Sequence, residues 1–265
     1  MKDREPESGP AGSLLICIRV PKSGSASLMK GLAQSFSEAR IFYFPNTLDP
    51  DSSVSPLQRL RFWRARYQNL FRRYRTFSLG AVSSHIRRHA KPGDLVMGGH
   101  VDFRTAKMEI ARPLKMITLL REPLSRARSE YDYMRRAYSR KSRLNRFDSS
   151  VLHKAAGRYD FDSYLDYLWE HRHIYGNIAC QYLGWNGEDD LAHFSAQNVF
   201  HCGVLERSSE FARGLSERLG RPFILPHENR ESAVRPPLTT SQHAKLEQIY
   251  VRDLELHEWV GSRSL

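Results

Sequence analysis

The chain has only three cysteines, Cys17, Cys180 and Cys202. An odd number at wide spacing offers neither a disulfide framework nor a cysteine-based metal site. Cys17 falls inside an apolar run, where a free, buried thiol is the plain reading. Long hydrophobic runs are also missing. The run from Leu14 to Val20 is interrupted by Arg19 and is too short for a signal peptide or a membrane span. A soluble, cytoplasmic protein is therefore the default expectation. There is no internal repeat and no low-complexity tract. His85 and His89, and likewise His171 and His173, lack a carboxylate-rich neighbourhood, so no metal site is expected. Acidic residues are in deficit: 29 Asp and Glu stand against 41 Lys and Arg, a formal net charge of +12. Such a balance favours an anionic ligand or partner and leaves the fold open. Nucleic acid, an anionic membrane surface, a polyanionic sugar and a nucleotide phosphate are all compatible with it.

What is present is a globular composition, 40% hydrophobic and 11% aromatic, over 265 residues. Leu14-Leu15-Ile16-Cys17-Ile18 is nearly unbroken in its apolarity, as expected of a strand buried on both faces of a parallel sheet. Leu28, Leu32 and Phe36 then recur at helical spacing. Further strands are predicted at Ile41–Phe44, Leu95–Met97, Lys115–Leu120 and Asn198–Val204. Helical patterns cover about 57–89, 123–138, 161–171, 174–183, 208–219 and 240–260. Strands alternating with helices predict an α/β fold, one domain over 13–265 with a central parallel sheet flanked by helices. Residues 1–12 read as a disordered leader. Two stretches read as insertions near an acceptor site: a very basic helical segment at 57–90 and a mobile loop at 139–158.

The first strand runs into Pro21-Lys22-Ser23-Gly24-Ser25-Ala26-Ser27 and then a helix. A loop in that position points backbone N–H groups at whatever lies above it, and the helix dipole favours an anion there. Small residues let the backbone come close to phosphate oxygens, and Lys22 adds a point charge. The loop is not a Walker A motif, because Gly-x-x-x-x-Gly-Lys-[Ser/Thr] is absent and the lysine precedes the small residues.

Arg19-Val20-Pro21-Lys22-Ser23-Gly24-Ser25-Ala26-Ser27 resembles the 5′-phosphosulfate loop of sulfotransferases that use 3′-phosphoadenosine-5′-phosphosulfate (PAPS). The Arg-Val-Pro-Lys opening is most similar to the carbohydrate, uronyl 2-O- type. A second stretch, Ile117 to Tyr131, resembles the family's 3′-phosphate signature. The resemblance assigns Arg121 and Ser129 to that phosphate, which a strand-end arginine and a serine two turns into a helix can grip together. Gly98-Gly99-His100-Val101 resembles the segment that carries the catalytic base of uronyl enzymes, which places that role on His100. An imidazole titrating near neutrality suits proton removal from an attacking hydroxyl. Glu122 and Glu130 are lower-ranked candidates for the base. Leu225 to Ser232 and Leu246 to Leu256 resemble a Pro-x-x-Asn-x-Ser stretch and an [Ile/Leu]-Tyr-x-x-Asp-x-x-Leu ending of the superfamily.

The resemblance thus implies a P-loop-like sulfotransferase fold, with Lys22 and residues Ser23, Gly24, Ser25, Ala26 and Ser27 holding the phosphosulfate. PAPS is the implied donor, PAP the product, and no metal is called for. The acceptor is expected to bear a hydroxyl on a carbohydrate, with Arg104, Arg135 and Arg136 as candidate contacts in a positive wall. The chain departs from the Golgi enzymes in lacking a membrane anchor and paired cysteines, which removes the support for their particular substrates. An ATP-dependent kinase would need the missing Gly-Lys-[Ser/Thr] and a carboxylate for Mg²⁺. A nucleic-acid-binding protein would need basic and aromatic residues interleaved, found only at Arg61-Phe62-Trp63-Arg64-Ala65-Arg66-Tyr67.

Overall fold

In the computed structural model of the chain, residues 12–44, 79–147, 149–226 and 236–263 are described. The strands are β1 (Leu14–Cys17), β2 (Ile41–Phe44), β3 (Leu95–Gly98), β4 (Leu114–Leu120) and β5 (Val199–Val204). They form one sheet in the order β2-β3-β1-β4-β5, and every neighbouring pair is parallel. The described helices are α1 (Ser25–Ser35), α2 (Leu79–His89), α3 (Phe103–Ile110), α4 (Pro123–Ser139), α5 (Arg143–Phe147), α6 (Val151–Arg158), α7 (Phe161–Glu170), α8 (Arg172–Tyr175), α9 (Ile178–Leu183), α10 (Leu191–Asn198), α11 (Ser208–Leu219), α12 (Thr240–Ile249) and α13 (Val251–Gly261).

Every residue of β1 is buried, because both faces of the sheet are covered. Successive side chains on a strand point to opposite faces, and the core divides accordingly. Leu14, Ile16 and Ile18 pack with Val82 and Ile86 of α2, Phe103 and Ala106 of α3, and Leu256 of α13. Leu15 and Cys17 pack on the other side with Leu28 and Leu32 of α1 and with Phe211 and Leu215 of α11. The result is a three-layer α/β domain with its core on both faces of the sheet. All three cysteines are free and buried, and burial pushes the Cys17 thiol up to about 12.

The strand order creates a crevice. The chain leaves β1 toward β2 on one side of the sheet, and leaves β4 toward β5 on the other. β1 and β4 are neighbours, with Ile16 paired to Met116. Their loops therefore part in opposite directions and open a gap above the carboxyl ends of the two strands.

Several elements differ from the sequence reading. Residues 139–158 were expected as a mobile loop, but α5 and α6 stand there. Ser150 caps α6 by accepting from the His153 N–H, and Ala155 and Ala156 are buried in a cluster with Tyr131 and Met134 of α4. α3 and α10 were not foreseen. The helix expected over 240–260 is broken at Tyr250, and the one over 174–183 at Gly176–Asn177. One reciprocal cap explains both breaks. Asn177 Oδ1 accepts from the N–H groups of Arg252 and Asp253, while Asp253 accepts from those of Ala179 and Cys180 at 3.0 and 2.9 Å. Each helix start is thereby closed by a side chain from the other. Nearly all of the 1–12 leader, residues 57–78 of the basic segment 57–90, and residues 227–232 of the Leu225–Ser232 stretch lie outside the described residues. No described helix is long and apolar enough to cross a membrane.

Candidate active site

The loop from Ile18 to Gly24 stands at the end of β1, directly over the crevice. Its backbone is unusual. Lys22 has φ 63° and Gly24 φ 77°, both in the left-handed region. A non-glycine residue held there costs on the order of 1–3 kcal/mol, a kind of strain that gathers at functional sites. Gly24 satisfies two demands at once. A Cβ on it would stand 3.0 Å from Leu205 Cδ1 and 3.3 Å from Leu119 Cδ2. The Ser23 hydroxyl is buried and donates to the Val20 carbonyl at 2.8 Å, which closes the loop on itself. Ser23 can therefore offer an anion only its N–H, not its hydroxyl proton.

α1 begins at Ser25 with no side-chain cap and no acidic residue in its first turn. Its first helical bond runs from Leu28 N–H to Gly24 C=O at 3.1 Å. The amides of Ser25 and Ala26 precede that bond and have no acceptor within the helix. They face the crevice together with the positive end of the helix dipole, a ready cradle for an anion.

Arg121 follows β4 and reaches across the gap, with its Nη1 3.4 Å from the Lys22 carbonyl. The two loops that flank the crevice are thereby in contact. Ser129 is buried in α4, and Tyr133 and Arg136 lie one and two turns further along the same helix face. The Lys22 ammonium rests 4.6 Å from the centroid of the Tyr133 ring, a cation–π contact that aims it over this face. Lys22 and Arg121 are thus in contact, and Ser129 stands one turn before Tyr133 on the helix face that Lys22 approaches.

His100 follows β3, the other neighbour of β1. Its Nδ1 lies 3.3 Å from the Arg19 carbonyl, and the Tyr182 ring meets it edge-on at 6.2 Å. A proton on Nδ1 donated to that carbonyl leaves the Nε2 lone pair available. Burial and then the Arg19 guanidinium hold the imidazole below its ordinary range, against the opposing pull of the Arg19 carbonyl and of Glu130. The residue as a whole is nonetheless exposed to solvent. This lowering favours a neutral imidazole, two strands across from Arg121 along one row of strand ends, with β1 between them.

The two carboxylates considered as alternative bases are engaged elsewhere. Glu122 is the N-cap of α4 and accepts from Leu124 N–H at 2.9 Å and Ser125 N–H at 2.7 Å. Glu130 pairs with the buried Arg126 at 3.0 Å. The three arginines expected to form one wall are separated. Arg136 shares the face of Ser129. Arg135 turns to the Tyr131 hydroxyl and to the Tyr159 carbonyl at 3.1 Å. Arg104 bonds the Gly184 carbonyl at 3.1 Å and lines a different cleft.

The chain is similar in shape to two sulfotransferases. One is mouse SULT7A1, solved in complex with PAP, at 13% identity and a TM-score of 0.42 over 91% of this chain and 65% of that one. The chain therefore spans slightly less than two thirds of the mouse enzyme. The other, from Alicyclobacillus acidocaldarius, gives 16% identity and a TM-score of 0.46 over 97% of this chain and 98% of that one. No protein-family model matches the chain, and no curated protein does. Both likenesses are distant, and the functional reading below rests on the chain's own residues.

Several residues at this site were not singled out from the sequence. Tyr133 carries a weak signal, since it stands four residues after Ser129 and so on the same helix face. Tyr182 carries none, because only the tertiary fold brings α9 to the end of β3. Arg19 was quoted within the loop pattern but given no role, yet its carbonyl orients His100. Among the described residues, no group of three His, Cys, Asp or Glu is arranged to hold a metal ion.

Proposed function

We propose that the protein is a sulfotransferase that moves a sulfuryl group from PAPS to an acceptor hydroxyl, on a carbohydrate by preference. One observation carries this reading. An uncapped helix start with Lys22 on one side of the crevice, and Arg121 with Ser129 on the other, form two anion-gripping sets that meet through the 3.4 Å contact of Arg121 with Lys22. A nucleotide with a phosphosulfate at one end and a phosphate at the other fits both sets. A nucleotide lacking the second phosphate leaves Arg121 without its partner.

In the proposed reaction the amides of Ser23, Gly24, Ser25, Ala26 and Ser27 hold the 5′-phosphosulfate. The acceptor oxygen attacks sulfur in line with the bond to the bridging oxygen. A new O–S bond forms as the old one breaks, and PAP leaves with the bonding electrons. Lys22 offsets the charge that grows on the bridging oxygen. The acceptor's proton passes to Nε2 of His100. Arg121 and Ser129 hold the 3′-phosphate throughout and take no part in bond making.

Two variants test these roles. His100→Ala lowers turnover by about 10²–10⁴-fold while PAP affinity is kept, since a positioned base contributes that much. In the unaltered enzyme kcat/KM, which reports the free enzyme, loses its plateau only as pH drops below 6.5, because the imidazole is held below its ordinary value and must be unprotonated to act. An acid limb above pH 6.5, or an active His100→Ala, returns the base to another group. Arg121→Ala weakens PAP binding by about 10–100-fold, the loss of a charge-assisted contact. The same variant leaves adenosine 5′-phosphosulfate, which lacks the 3′-phosphate, within a few fold. Equal losses for both nucleotides, measured by calorimetry, remove the 3′-phosphate role.

A further inference from the structure

A second concentration of positive charge lies away from this crevice. Arg104 of α3, Arg172 and His173 of α8, Asn177, Gln181 of α9 and Arg252 of α13 surround a cleft of about 450 Å³, within the size range of small-ligand sites. No carboxylate lines it, and none of its three arginines forms an ion pair among the described residues. Lys22, Arg121, Ser129 and His100 are not among the lining residues.

Each guanidinium is fixed by a backbone carbonyl. Arg104 Nε donates to Gly184 at 3.1 Å, Arg172 Nη1 to Trp169 at 2.9 Å, and Arg252 Nη1 to Asn186. The arginine stems lie directly on the chain beneath them. A Cβ at Gly184 would stand 2.8 Å from Arg104 Cγ, and one at Gly187 would stand 2.9 Å from Arg252 Nε. Arg172 is further held over the Trp169 ring at 4.1 Å. An arginine has five N–H donors, so one carbonyl contact leaves most of its fork for a ligand. Three fixed cations around one opening repel each other, and a bound anion relieves that repulsion. The fork geometry suits the oxygens of sulfate, phosphate or carboxylate.

We propose that this cleft is a second anion-binding site, taking a molecule with two or more sulfate, phosphate or carboxylate groups. It is separate from the donor crevice but adjoins the acceptor side. Arg104 follows His100 by four residues, and Tyr182 at the His100 ring is the sequence neighbour of Gln181 in the cleft. A charged acceptor held at His100 and a free small anion both present the required chemistry. The site itself does not depend on the reaction proposed above.

The test uses the full chain and two probes, tripolyphosphate and a sulfated hexasaccharide, titrated by calorimetry with and without saturating PAP. Trp185 lines the cleft and Trp169 lies under Arg172, so intrinsic fluorescence supplies an independent signal. Tripolyphosphate is expected to bind saturably even with the donor crevice filled by PAP. The double variant Arg172→Gln/Arg252→Gln is expected to lose tenfold or more of it. Both side chains are exposed, and retained PAP binding shows that the variant is folded. A parallel loss for the hexasaccharide identifies the anion as part of an acceptor. A loss confined to tripolyphosphate identifies a free small anion and still supports the site. Absence of saturable binding, or an affinity unmoved in the double variant, overturns the proposal.

Discussion

Lys22→Ala lowers sulfuryl transfer by about 10³-fold or more, with PAP affinity changed much less. The scale follows from what the ammonium does. Removing a single neutral donor from an oxyanion site costs on the order of 10²–10³ in kcat, and Lys22 brings a full charge to the oxygen on which charge develops. PAP is held by the amides at the start of α1 and by Arg121, so its ground-state binding survives. One complication lies in the backbone. Lys22 sits at φ 63°, and alanine there bears the same strain. Lys22→Gly separates the two contributions, since glycine adopts that conformation freely. Equal losses of transfer in the two variants assign the effect to the ammonium. If glycine restores turnover, the loop's shape and not the charge was limiting. Near-normal turnover in Lys22→Ala, measured in single-turnover experiments, removes the lysine from the mechanism altogether.

The fold was legible because its central strands β1, β3 and β4 are almost wholly buried and read as nearly unbroken apolar runs. Leu14–Cys17, Ile41–Phe44, Leu95–Gly98, Leu114–Leu120 and Val199–Val204 all fall within a residue or two of their expected positions. The helices read less well where the signal is short or shared. α3 starts with Asp102 capping Thr105, a cue present in the sequence, but its eight residues are too few for a clear periodicity. α12 and α13 read as one helix because their apolar spacing runs on through Tyr250. Only the distant partner Asn177, which caps the second of them, shows that the helix is broken.

The candidate site divides along the same line. Lys22 and Arg121 each stand at the end of a core strand, so a linear pattern locates them and the sheet order brings them together. The wall of arginines had no such anchor. Arg135 and Arg136 are neighbours in sequence while Arg104 lies on another helix, and helix faces and packing, not residue type, decide where each points. Arg135 and Arg136 are adjacent and lie about 100° apart on α4, and only Arg136 looks toward the Ser129 face. The ending motif around Tyr250 and Asp253 carries the opposite lesson. Asp253 accepts from the Ala179 and Cys180 N–H groups and so holds the start of α9, which carries Tyr182 to the His100 ring.

Arg126→Ala is accordingly expected to destabilise the protein by about 3–5 kcal/mol, the usual cost of breaking a buried ion pair by removing one partner. The Arg126 side chain is 1% exposed. Its Nη1 bonds Glu130 at 3.0 Å, and its guanidinium lies 4.9 Å from the centroid of the Tyr250 ring. Burial alone weakens its hold on the proton, yet the surrounding Tyr250, Glu130 and Asp253 reverse the balance and hold the guanidinium firmly charged. Alanine leaves the Glu130 carboxylate beside an empty volume under Tyr250, so the charge and the cavity both count against the fold. Arg126 and Glu130 are on the helix that bears Ser129 between them, and a shift of α4 there moves the 3′-phosphate contact as well. PAP binding should therefore weaken in Arg126→Ala although the side chain is buried beneath the site. The double variant Arg126→Ala/Glu130→Ala removes the stranded charge along with its partner. Its chemical unfolding should show less destabilisation than the sum of the two single changes. A strictly additive pair, or a single change costing under about 1 kcal/mol, would mean that α4 is held by its apolar contacts alone.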